Sequence, residues 1–163
     1  MTVDPVSSRP AVQAQLPPAV VLKVVNAVFR LILRSPLHRA LDGAFLLLHV
    51  RGRKTGRRYD IVVGRHELDG GLFVATGAPW RKNLAGGAAV EVTDRGRLRP
   101  GRAELVEDPD AVAALYHAEI QRVGWKRGQR LGIKINVRRT PTREELAEAA
   151  RRDGLSAVRI RFS

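Results

Sequence analysis

The sequence contains no cysteine. That excludes disulfides, thiolate nucleophiles, thiolate zinc sites and cysteine-ligated iron–sulfur clusters. Aromatic residues make up only 5%, with two tryptophans and two tyrosines. Lysine is scarce as well: five of the 29 cations are lysine and 24 are arginine. No apolar run approaches the roughly 20 residues of a membrane-spanning helix. Acidic residues are in the minority, 16 against 29 cations, which leaves a net charge of +13. Such a field attracts anions: nucleic acid, anionic lipid, or a phosphorylated or carboxylated small molecule. The arginine skew also follows from codon usage in a GC-rich genome, so part of the charge carries no functional information. What is present is an ordinary globular composition, 44% hydrophobic over 163 residues. That is one domain with a sizeable core.

The chain divides into a flexible leader over residues 1–16, an amphipathic helix over 17–35 and a single domain over 36–163. The leader lacks the layout of a secretory signal. Pro17 and Pro18 suit a first helical turn and Pro36 stops the helix. On that helix Lys23, Asn26, Arg30 and Arg34 form one narrow stripe, and Val21, Val24, Val25, Val28, Leu31 and Ile32 cover much of the rest. The expectation is a helix packed on the domain. The alternative is a peripheral membrane contact through residues 19–34, arginines toward lipid phosphates. It would place a cytoplasmic protein at the inner face of the membrane.

Strands are predicted over residues 45–50, 59–68, 72–76, 88–93, 97–106 and 157–162. Pro100–Gly101 predicts a bulge or bend in the fifth of these. Hairpin signals stand at Asp69–Gly70–Gly71 and Asp94–Arg95–Gly96. Asp108 caps a helix with Pro109 at its first position, a buried stripe of Val112, Leu115, Tyr116, Ile120 and Val123, and an end at Gly124. Thr142–Arg143–Glu144–Glu145 is a capping box for a short helix ending at Gly154. Strands joined by tight hairpins are antiparallel. The fold class is therefore α+β, mainly β: a small antiparallel barrel flanked by helices.

Three features offer chemistry. Arg51-Gly-Arg-Lys-Thr-Gly-Arg-Arg58 packs five cations, two glycines and a hydroxyl into one turn, a composition suited to an anion. Thr76-Gly-Ala-Pro-Trp-Arg-Lys-Asn-Leu84 places Trp80 just after a strand, where it walls a flat ring or closes a barrel end. Residues 122–139 carry seven cations and Trp125, read as a solvated face or a mobile loop, or else as a nucleic-acid face. The four histidines share no metal-ligand spacing, no metal site is expected, and His49 and His66 read as satisfied strand residues. No catalytic side chain is identifiable.

The basic turn, a hairpin, the Pro79-Trp-Arg-Lys-Asn-Leu84 segment and Val90-Glu-Val92, taken together over about residues 41–112, resemble the deazaflavin-dependent nitroreductase family. The resemblance implies a split β-barrel that binds coenzyme F420. It implies that Gly52, Arg53, Lys54, Thr55 and Gly56 hold the phosphate side of the coenzyme. Trp80, Asn83 and Leu84 would lie beside it, and Ile61, Val62, Val63, Ala75, Thr76 and Gly77 would border the ring. The implied activity is hydride transfer between F420 and an electron-poor acceptor: a quinone, an enone or a nitroaromatic. Tyr116 and His117 are candidate proton donors. The sequence departs from the family at Gly86–Gly87, where Asn-Pro is usual. It also lacks the tyrosine-rich pocket of nitroimidazole-reducing members. The alternatives are a split barrel that binds FMN or haem and a non-catalytic basic nucleic-acid-binding module.

Overall fold

A computed structural model describes residues 9–15, 19–40 and 43–163. The leader expected over residues 1–16 lies partly outside these, as do Pro17, Pro18 and the side chains of Val21 and Val25. The elements are β1 (Val12–Ala14), α1 (Ala19–Arg34), β2 (Phe45–Arg51), β3 (Arg58–Gly64), β4 (His66–Leu68), β5 (Gly71–Thr76), β6 (Ala88–Asp94), β7 (Arg97–Val106), α2 (Pro109–Val123), β8 (Ile133–Ile135), α3 (Arg143–Asp153) and β9 (Ser156–Phe162). Seven strands form one antiparallel sheet in the order β3-β2-β6-β7-β9-β5-β4. The sheet curls into a half-barrel, so that β3 and β5 approach each other. This is the α+β, mainly antiparallel architecture that the hairpin signals predict.

Alternation along the strands builds two cores. Inside the curl, Leu46, Leu48 and Val50 of β2 meet Val90 and Val92 of β6 and Val158 and Ile160 of β9. On the outer face, Phe73 and Ala157 pack under α2 and α3, which contribute Val112, Tyr116, Ile120, Leu146 and Ala150. Both helices start as their caps predict. Asp108 accepts from the Ala111 N–H at 3.0 Å, and Thr142 and Glu145 form the reciprocal capping box.

Five expectations are corrected. Residues 12–14, read as part of a flexible leader, form β1 and pair with β8; three residues are too few to show a strand period. The basic stretch 122–139 keeps its seven cations exposed, as a solvated face does, but it is not a loop throughout: it contains a 3-10 helix over Trp125–Leu131 and β8. The strand expected over 59–68 breaks at Arg65, which donates to the Ala44 carbonyl at 2.8 Å and turns its guanidinium onto buried Asp94. No bulge occurs at Pro100–Gly101, where the register with β6 and β9 is continuous. Gly101 instead permits close approach, since a Cβ there would stand 2.8 Å from the Arg161 carbonyl oxygen. Finally, α1 turns its polar stripe toward the domain. Asn26 and Arg30 are half-buried and Arg34 bonds Asp60, while Val24, Val28 and Leu31 are 61%, 49% and 73% exposed.

Candidate functional site

The curl leaves a cleft of about 840 Å³ where β3, the end of β5 and the outer-face layer meet. Ile61, Val62, Val63 and Gly64 form one wall, and Ala75, Thr76, Gly77 and Trp80 another. These are the strand residues and tryptophan named from the sequence, brought together because β3 and β5 flank the opening of the half-barrel. The back wall is Tyr116, Leu131, Gly132 and Leu155; β1 adds Ala14, and Gln15 just after it completes the wall. Sequence reading missed most of this second half. Its residues come from four separated segments, and only Tyr116 carried a signal, as a buried aromatic in the α2 stripe.

Beside Trp80 lies a second, smaller hollow of about 360 Å³. The two share Asn26, Ile61 and Trp80, and the smaller one adds Arg30, Arg57, Arg58, Tyr59 and Asp60. The site thus has an apolar chamber and a cationic mouth. Asp60 partly neutralises the mouth, accepting hydrogen bonds from Arg58 at 3.1 Å, from His49 Nδ1 at 2.7 Å and from Arg34. Burial alone would raise the Asp60 carboxyl. The hydrogen bonds and charges of His49 and Arg58 outweigh it and bring the carboxyl down to about 2.

The two sequence motifs meet through Asn83. Its Oδ1 accepts from the Arg53 N–H at 3.1 Å, and its Nδ2 donates to the Trp80 carbonyl at 3.0 Å. Arg53 Nη1 also donates to the Lys82 carbonyl at 3.3 Å. Leu84, fully buried, anchors the segment in the inner core beside Trp80. The basic turn closes on itself: Gly52 N donates to the Arg57 carbonyl at 2.8 Å and Gly56 N to the Gly52 carbonyl at 2.9 Å, with Gly56 in the left-handed region. Among the described residues, the backbone N–H groups of Lys54 and Thr55 and the Lys54 ammonium have no acceptor. Arg53, Lys54 and Thr55 stand at the exposed rim and line neither hollow; Arg57 and Arg58 of the same turn line the smaller one. Asn83 and Leu84 do not line the cleft. They hold Trp80 there.

Tyr116 donates its hydroxyl to the Ser156 carbonyl at 2.9 Å, and burial raises its pKa, so the phenol stays neutral. His117 does not line the cleft. His49 bridges Asp60 and Thr93 Oγ1 (2.8 Å), and His66 bonds Glu119 at 3.0 Å while stacking on Phe73. Both are the satisfied strand histidines expected. Among the described residues no three His, Asp or Glu side chains cluster as metal ligands.

No family model matches the chain, and no curated protein matches it. Among solved structures, a chain titled "F420 Reductase" is similar at 13% identity and a TM-score of 0.42, the likeness covering 79% of this chain and 94% of that one. So distant a likeness carries no functional assignment.

Proposed function

We propose that this protein is an oxidoreductase that transfers a hydride between coenzyme F420, held in the cleft, and an electron-poor acceptor such as a quinone, enone or nitroaromatic. One observation carries the reading: a mainly apolar chamber and a cationic hollow that share Trp80 in their walls. That pairing suits a flat ring joined to an anionic arm. A chamber of about 840 Å³ lies within the usual range of small-molecule sites. The free N–H groups at Lys54 and Thr55 and the unpaired Lys54 ammonium are donors of the kind an oxyanion needs. The resemblance of residues 52–56 and 79–84 to the deazaflavin-dependent nitroreductases supports the same reading.

Arg57 and Lys54 would hold the anionic arm, and Trp80, Ile61 and Val63 would border the ring. The deazaflavin, when bound, supplies a hydride at its C5. The chain's own task is to orient, exclude water and anchor. Trp80 is fixed for that task by Asn83 and Leu84. Tyr116 keeps its proton on the Ser156 carbonyl and contributes a neutral wall.

The test is a fluorescence titration of oxidised F420, with FMN titrated in parallel. Saturable F420 binding is expected. Lys54→Ala and Arg57→Ala should each weaken it by about 1.5–3 kcal/mol, the usual contribution of a hydrogen bond to a charged group. FMN binding in preference keeps the fold and changes the cofactor. Binding of neither, with salt-sensitive binding of an oligonucleotide, brings the nucleic-acid module forward.

A second reading concerns location. Val24, Val28 and Leu31 lie along the solvent side of α1, with Leu37 also exposed just beyond it. Among the described residues no helix is long and apolar enough to cross a membrane. This exposed row supports contact with a membrane surface at the cytoplasmic face. The full chain should co-sediment with anionic liposomes and a Val24→Ser/Leu31→Ser variant should not.

A further inference from the structure

We propose a second anion site, apart from the cleft, in which Arg102, Arg159 and Arg161 bind a small polyanion of the phosphate class, a diphosphate or phosphate ester. Arg102 and Arg161 are direct partners across β7 and β9. Arg159, two residues before Arg161, shares its face, opposite Glu104. Like charges directly opposite each other destabilise a sheet. The three arginines border a hollow of about 420 Å³, completed by Gly86, Gly87, Glu104 and Leu105.

Among the described residues, the side chains of the three arginines have no ion-pair or hydrogen-bond partner, and neither does that of Glu104. Some arginines of the protein are paired, Arg65 on Asp94, Arg122 on Glu119, Arg139 on Glu145 and Arg152 on Asp153, while others among the described residues, such as Arg51, Arg95 and Arg143, stand alone on the surface. The hollow keeps three cations against one carboxylate. A dianion balances that excess, and the planar guanidinium fork matches phosphate oxygens.

Gly87 makes room for the arrangement. A Cβ there would stand 2.7 Å from Arg102 Nη2 and 3.2 Å from its Cζ. Gly87 also has a positive φ of 86°, a conformation that favours glycine whatever stands beside it. The modest volume favours a small molecule over an extended polymer.

The experiment uses the full chain, with thermal unfolding followed in sodium diphosphate, phosphate and chloride at matched ionic strength. Diphosphate should raise Tm saturably above chloride. Made in a Lys54→Ala/Arg57→Ala background, which removes the cations proposed to hold an anion beside the cleft, Arg102→Gln/Arg161→Gln should weaken that response by roughly tenfold or more. Arg161→Gln alone should not lower Tm in dilute chloride, since it relieves the cross-strand repulsion; that arm shows the variant folds. The proposal is overturned by a Tm that follows ionic strength alone, or by a diphosphate response that persists when Arg102 and Arg161 are both replaced in the background lacking Lys54 and Arg57. It is equally overturned if an oligonucleotide displaces diphosphate with an affinity that grows with its length.

Discussion

Helix α1 is dominated by valine and leucine and leaves Val24, Val28 and Leu31 in solvent, whereas α3 has four apolar residues and buries all four. The arginines and acids that crowd α3 do not prevent docking, because Leu146, Ala147, Ala149 and Ala150 fall on one side and meet the α2 layer. Its ends are closed by the Thr142 capping box and by Gly154 in the left-handed conformation. Helix α1 is held differently. Phe29 meets Phe45 edge-on with centroids 5.0 Å apart, and Arg34 reaches Asp60. Its half-buried side chains include Asn26 and Arg30, which border the cationic mouth. The burial of a helix follows what it finds opposite, and apolar content alone does not set it.

The contrast can be broken by mutation. Leu146→Ala should cost about 2–5 kcal/mol by urea unfolding, as for a large-to-small change in a closed core. Asp60→Asn, which removes the carboxylate gathering Arg34, Arg58 and His49, should cost about 1–3 kcal/mol. Its pH dependence has a definite sign. The folded carboxyl sits at about 2 and the unfolded one near 3.9, so the contribution is complete above about pH 5 and is lost as pH falls from about 4 to about 2. Glu145, held at about 2 chiefly by Arg139, is lost over the same window. Asp60→Asn should therefore reduce acid sensitivity without abolishing it, read from urea midpoints at about pH 3 and about pH 6. Thr142→Ala should cost about 1 kcal/mol through the lost cap. Leu31→Ala should change stability by less than about 0.5 kcal/mol. Equal costs for Leu31→Ala and Leu146→Ala would mean that α1 is docked through its valines and leucines after all.

Local signals carried far. The hairpins, both caps and the long strands were legible because two-residue turns, Asp-Pro and Thr-x-x-Glu act within a few positions. Half of the cleft, Ile61–Gly64 and Ala75–Trp80, was expected through the resemblance to the deazaflavin-dependent nitroreductases, with Trp80 also standing out just after a strand. The other half was not. Ala14, Leu131, Gly132 and Leu155 become neighbours only through β1–β8 pairing, which two three-residue strands do not announce. The orientation of α1 was also hidden. Its stripe of Lys23, Asn26, Arg30 and Arg34 reads as a solvent face until Asp60 is known to lie beneath it.

The pairing of β1 with β8 has a consequence in time. Ala14 donates its N–H to Asp153 at 2.9 Å across 139 positions of sequence, and Gln15 donates to the Gly132 carbonyl at 2.8 Å. Closing so large a ring is costly in chain entropy and belongs late in folding, after the hairpins have formed. During synthesis the wall at residues 14–15 has no partner until β8 and then α3 have emerged. The cleft is thus among the last parts of the molecule to exist. A small molecule resting against Ala14 and Gln15 acts as a clasp, holding shut a ring that the chain closes last.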